Sequence, residues 1–245
     1  MHPEIKSKSK TKDMYTYEYP HPAVTTDCVI FGFDGKELNI LLIERGIEPF
    51  KGSWALPGGF LKMDETAEEG AKRELMEETS VTDVYLEQFH TFTDVHRDPR
   101  ERIITIAYYA LVRKSDYKVI AGDDAARAAW FVANELPPLA FDHREIIKTA
   151  KLRLQEKLAT KPIAFRLLDE KFKMSELQRL YEQINGKSYE RRNFAKKMIS
   201  TGMLADKGRN PEPEQNRAAT LYSFKEDEYE SKCETHAWKK YPFEF

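Results

Sequence analysis

The chain has 245 residues, room for two domains, with 41% hydrophobic and 12% aromatic residues to build cores. Its mean hydropathy of −0.65 and the lack of any long apolar run exclude a membrane span, and two distant cysteines, Cys28 and Cys233, argue against a disulfide framework or a CxxC metal site. The net charge of −2 conceals an asymmetry: residues 1–149 carry 19 Lys and Arg against 26 Asp and Glu, whereas residues 150–245 carry 20 against 15, an acidic first part and a basic second part.

Residues 1–20 are polar and lysine-bearing, without the apolar region of a signal peptide, and are expected to form a loose arm on a cytoplasmic protein. From Val24 to Trp130 the sequence reads as strands broken by turns. VTTDCVIFGF ends at the turn signal DGKE, and LNILLIERG is apolar enough for a strand buried on both faces. Trp54, in SWALPGGF, is expected in the core. Thr66 followed by Glu69 is a capping-box pattern and predicts a helix from Thr66 to about Thr79. At about 100° per residue, Glu74, Glu77 and Glu78 share an arc of about 100° beside the apolar stripe of Ala67, Ala71 and Leu75. Three carboxylates so crowded repel one another, and a hard divalent cation such as Mg²⁺ relieves the repulsion. Gly58 and Gly59 would let the backbone come close to that metal or to phosphates.

This stretch resembles the Nudix box, G-x5-E-x7-R-E-φ-x-E-E-x-G-φ with φ aliphatic. Gly59, Glu65, Arg73, Glu74, Leu75, Glu77, Glu78 and Val81 match it, and Ser80 departs from it at the second glycine. That glycine often closes the helix in left-handed geometry, which costs another residue about 1–2 kcal/mol. The resemblance implies a Nudix α/β/α sandwich with a mixed sheet. It implies Mg²⁺ or Mn²⁺ on Glu74, Glu77, Glu78 and the carbonyl of Gly59, with one of Glu77 and Glu78 helping to activate water. Glu65 and Arg73 would support the loop–helix geometry. The implied reaction is hydrolysis of a nucleoside diphosphate linked to another group.

Further along, VYLEQFHTFTDV and RIITIAYYALV are two more strands, separated by the charged loop HRDPRE, and AAWFVANELPPL ends the block. Arg45 is placed to meet a substrate phosphate or to pair with an acid. Arg97, Arg100 and Arg102 are candidate substrate-binding residues, because HRDPRERIITIAYYAL resembles a segment of Nudix proteins that act on or sense ADP-ribose. Asp123 or Asp124 could add a metal ligand, and His143 reads as a helix-start residue. A helix is expected over His143–Ala159, with Ile146, Ile147, Ala150 and Leu154 on one side. The chain then divides into residues 21–160 and a second domain, 161–245.

In the second domain Ser175 and Gln178 form another capping-box pattern, and Leu177, Leu180, Tyr181 and Ile184 an apolar face. Asn185-Gly186 marks a turn. The next helix, about Tyr189–Ser200, offers Phe194, Met198 and Ile199 for packing and exposes Arg191, Arg192, Asn193, Lys196 and Lys197. With strands at GMLAD and ATLYSF, this is the pattern of a winged helix-turn-helix on double-stranded DNA. It resembles the C-terminal domain of Nudix-related transcriptional regulators, from which a homodimer is expected. Two readings follow. One is a Mg²⁺-dependent hydrolase of ADP-ribose or a similar nucleoside diphosphate sugar with DNA-binding capacity. The other is a regulator that senses such a metabolite with little or no hydrolysis.

Overall fold

The computed structural model describes residues 17–82, 84–117, 125–209, 219–229 and 243. Strand β1 (Ala23–Phe33) organises the first domain. It pairs in parallel with β6 (Ile103–Arg113) along its whole length and antiparallel with β2 (Leu38–Arg45). The mixed sheet runs β3-β2-β1-β6-β5, with β4 (Gly58–Phe60) on β1 and β7 (Ala125–Val132) on β2. β3 is Trp54–Ala55 and β5 Tyr85–Phe92. The period-2 alternation of β1 separates two cores. Cys28 and Ile30 meet Ala71 and Leu75 of α1 (Ala67–Thr79) on one face. Val29, Phe31 and Phe33 meet α2 (His143–Thr160) on the other. The result is the expected α/β/α sandwich, with the expected full burial of the apolar part of β2. Trp54 is half-buried, its ring edge-on to Phe131 at 4.6 Å.

The expected capping box forms: Thr66 Oγ1 accepts from Glu69 N, and Glu69 accepts from Thr66 N. Ser80 closes α1 at φ 58, ψ 21, in the left-handed geometry that glycine would take without strain.

The core of α2 continues without a break into the second domain, through Ile163 and Phe165 to Leu177, Leu180, Tyr181 and Ile184. There α3 (Met174–Asn185) and α4 (Arg191–Ser200) are followed by β9 (Leu204–Arg209) and β10 (Thr220–Phe224), and a short β8 (Phe172–Lys173) completes a sheet ordered β8-β10-β9. Gly186 ends α3 at φ 65, as the Asn-Gly signal predicted. Two expectations are corrected. The α3 cap is not Ser175/Gln178: Glu176 accepts from Lys173 N at 2.8 Å, so the helix starts earlier and Ser175 falls inside its first turn. Ile199 does not pack. Phe194 and Met198, four residues apart, define the buried face, and Ile199 lies about 100° off it and is exposed. Asp123 and Asp124, with most of the loop between β9 and β10, lie outside the described residues.

Candidate active site and nucleic-acid interface

The cleft exists because β1 changes partner along its length. Ile30–Phe33 pair with β2, whereas Thr25–Asp27 pair with Phe60–Gly58 of β4. The far end of β2 therefore diverges from β1, and the gap opens into a cleft of about 210 Å³. Asp27, Arg45, Gly58, Gly59, Glu74 and Glu78 line it, with Arg97, Arg100, Phe60, Phe141 and His143 completing the wall.

One edge is acidic. Glu78 is buried and accepts from Gly58 N at 2.8 Å. Gly59 faces Glu74 so closely that a Cβ there would lie 2.4 Å from Glu74 Oε1. Arg73 holds Glu65 through two nitrogens and reaches Glu74 at 2.6 Å and Glu77 at 3.0 Å. One guanidinium thus serves three carboxylates. Burial raises the Glu74 carboxyl pKa against the pull of Arg73. Arg73 holds Glu65 down at about 2. Among the described residues no three acids converge as a ready ligand set, and Glu77 turns to Arg73 and solvent. The donor chemistry nevertheless fits a hard divalent cation: carboxylate oxygens at a cleft edge, short of positive charge, beside a glycine whose missing side chain leaves Glu74 its place.

The rest of the lining is largely cationic and aromatic. Arg45 donates from Nε to Pro49 O, but among the described residues nothing accepts from its buried Nη2. Its guanidinium stands 4.8 Å from the Phe141 ring centroid, and burial followed by the neighbouring Arg100 lowers its pKa. Arg100 is oriented by Asp98 at 2.7 Å and lies over the Phe60 ring at 5.1 Å and near Phe141 at 5.5 Å. Phe141 is held at φ 51, a strained conformation for a bulky residue, and its ring is approached by both arginines.

The remaining candidates fall elsewhere. Arg97 borders the cleft but is buried beneath it, paired with Asp142 at 2.7 Å and Asp27 at 3.4 Å. Arg102 donates to Asp94 O and does not line the cleft. His143 begins α2 as expected, and its Nδ1 accepts from Leu56 N at 2.8 Å. Its Nε2 then faces Asp27 Oδ1 at 3.6 Å, and burial lowers the imidazole pKa. Sequence reasoning missed Asp27, Phe60 and Phe141. An acid inside the apolar run of β1 was the one available signal for Asp27.

In the second domain Arg191, Arg192, Asn193, Lys196 and Lys197 are all exposed on α4. Glu190 caps the helix, accepting from Arg192 N and Asn193 N. Phe194 and Met198 anchor the helix, and Arg192, Asn193 and Lys196 lie on the side turned away from them. Lys207 and Arg209 add exposed positive charge on β9.

Known proteins resemble both parts of the chain. Residues 21–150 match the NUDIX domain family, and residues 164–224 match the NrtR DNA-binding winged helix domain. The chain is 34% identical over 217 residues to the ADPR responsive transcriptional repressor NtrR of Acinetobacter baylyi, covering 87% of this chain and 86% of that protein. It is 44% identical over 140 residues to the ADP-ribose pyrophosphatase of Methanocaldococcus jannaschii, covering 57% and 79%. Shewanella oneidensis NrtR in complex with a 27mer DNA superposes with a TM-score of 0.72 at 33% identity, over 83% of this chain and 94% of that one. With its box, its sandwich and its basic winged helix all in place, the chain belongs to the Nudix family and carries an NrtR-type DNA-binding winged helix domain.

Proposed function

We propose that the Nudix domain binds and hydrolyses ADP-ribose or a similar nucleoside diphosphate sugar, and that cleft occupancy sets the affinity of the winged helix domain for double-stranded DNA. The observation that carries this reading is a buried arginine nitrogen, Arg45 Nη2, without a hydrogen-bond partner among the described residues, in the same small cleft as Glu74 and Glu78. A diphosphate fits between them. Arg45 and Arg100 bind its oxygens, and Phe60 and Phe141 give flat apolar surfaces to the groups attached on either side. Glu74, Glu77, Glu78 and the carbonyl of Gly59 would hold Mg²⁺ or Mn²⁺. When bound, the cation neutralises charge on the diphosphate and makes coordinated water more acidic. Glu77 or Glu78 takes the proton of the attacking water, and Arg73 and Glu65 hold the loop and helix in register. The likeness to an ADPR responsive repressor and to an ADP-ribose pyrophosphatase supports the ligand class. On DNA, α4 enters the major groove, with Arg191, Arg192 and Asn193 toward base edges and Lys196 and Lys197 toward phosphates. A cytoplasmic homodimer on paired half-sites completes the proposal.

A second reading, sensing with little or no hydrolysis, is favoured by one observation: Arg73 bridges Glu74 and Glu77, and Glu77 does not line the cleft. Release of AMP from ADP-ribose with Mg²⁺ or Mn²⁺ separates the two. Hydrolysis should fall on the order of 100-fold or more in Glu77→Gln and Glu78→Gln. Wild-type rates in both variants would refute the site, and a nucleoside triphosphate with the highest kcat/KM would refute the substrate class.

A further inference from the structure

We infer that a hydrogen-bonded clasp between the β1–β2 turn and α3 carries the state of the Nudix cleft to the winged helix domain, an inference that rests on the ligand-responsive reading above.

The clasp is specific. Gln183 of α3 uses both ends of its amide: Oε1 accepts from Leu38 N at 3.0 Å, and Nε2 donates to Glu37 Oε2 at 2.6 Å. Arg179, one helical turn earlier, donates from Nη1 to Gly35 O at 2.9 Å. The turn they grip is itself stiff. Asp34 Oδ1 accepts from Lys36 N and Glu37 N, Asn39 Nδ2 donates to Glu37 O at 2.7 Å, and Lys114 closes on Asp34 at 2.9 Å.

Both strands leaving this turn end in the cleft. β1 leads to Asp27 and β2 to Arg45. Leu38 to Arg45 spans about 23 Å at the usual strand rise. The two strands pair over Ile30–Phe33 and Leu38–Leu41 and part beyond them. β2 is paired with β7 from Asn39 to Arg45 and with β3 at Ile43 and Glu44, so a diphosphate drawing Arg45 toward the β1 side moves β2 together with these partners, and the turn at its other end shifts against α3. α3 is the first helix of the helix-turn-helix and packs directly on α4, with the Tyr181 and Phe194 rings 5.5 Å apart. The apolar core shared through α2 also joins the domains, but such packing is non-directional and tolerates small slides. The clasp couples one strand end to one helix through directional bonds.

The test is a coupling cycle on the full chain. DNA affinity for a duplex from upstream of its own gene is measured by anisotropy, with and without saturating ADP-ribose checked to be intact after each titration. Wild type, Gln183→Ala and Arg179→Ala are compared, each confirmed as folded by its thermal melt. Coupling is reciprocal, so ADP-ribose affinity with and without DNA must return the same factor. The expected result is that Gln183→Ala lowers the coupling factor at least threefold, and Arg179→Ala lowers it in the same direction. DNA affinity without ligand and ligand affinity without DNA should stay within about threefold of wild type. A coupling factor unchanged in both variants overturns the clasp and leaves the ligand-responsive reading standing. A wild-type chain that binds both ligands without any coupling overturns the reading and the clasp together.

Discussion

Replacing Gly59 with alanine tests whether the acidic edge of the cleft is a working site. The new Cβ would stand 2.4 Å from Glu74 Oε1, 2.6 Å from its Cδ and 2.9 Å from Oε2, against an ordinary contact of 3.4 Å or more. Relief therefore requires the carboxylate to retreat by about 1 Å. The carboxylate cannot simply swing away, because Arg73 Nη1 holds it at 2.6 Å and its side chain is only 14% exposed. Gly59 has no left-handed φ, so alanine adds no backbone strain, and its pairing with Thr26 can persist. A displacement of this size in a reacting constellation costs on the order of 100-fold in rate, about 2.7 kcal/mol of barrier. The assay is AMP release from ADP-ribose, with Mn²⁺ titrated by calorimetry as a readout independent of turnover. We expect kcat/KM to fall about 100-fold and Mn²⁺ affinity to fall with it, whereas ligand-free DNA binding, which depends on α4, stays within twofold. Wild-type kcat/KM and wild-type Mn²⁺ affinity in Gly59→Ala would show that Glu74 does not act where the structure places it.

Three further outcomes are expected. Ser80→Gly should stabilise the chain, because relief of about 1–2 kcal/mol at the left-handed cap exceeds the about 0.5–1 kcal/mol of added chain entropy; a melting temperature about 2 °C higher is expected, and a lower one would refute the strain argument. Lys196→Ala should weaken binding about equally on all DNA sequences and reduce the slope of log affinity against log salt by about one; loss confined to one sequence would make it a base reader instead. Arg73 depresses Glu65 to about 2 from an ordinary 4.5, so the stabilisation from this pair is complete above pH 4.5 and disappears as pH falls toward 2. The melting-temperature gap between wild type and Glu65→Gln should accordingly narrow over that window, and a gap that widens on acidification would contradict the sign.

The features legible in the sequence are those that a helix or a turn fixes by itself. The spacing of Glu74, Glu77 and Glu78 sets their common face wherever the helix sits. Thr66 with Glu69 caps that helix locally, and Ser80 takes the left-handed position that the box reserves for glycine. Asn185-Gly186 and the exposed cations of α4 are equally local. The cleft is different, because residues far apart in the chain build it. Asp27 comes from β1, Arg45 from β2, Arg97 and Arg100 from the loop before β6, and Phe141 and His143 from the start of α2. Sequence alone offered Arg45, Arg97, Arg100 and Arg102 as equivalents. Pairing of β1 with both β4 and β6 separates them: Arg97 is buried under Asp27 and Asp142, Arg102 is turned to the Asp94 carbonyl, and Arg45 and Arg100 both approach the Phe141 ring. The same holds for Ile199, whose apolar character predicted burial until the packing of Phe194 and Met198 fixed which side of α4 faces inward. Helical periodicity is a property of neighbours in sequence, whereas the sign and shape of a cleft depend on strand partners up to 93 residues apart, as Asn39 and Val132 are, which no local pattern encodes.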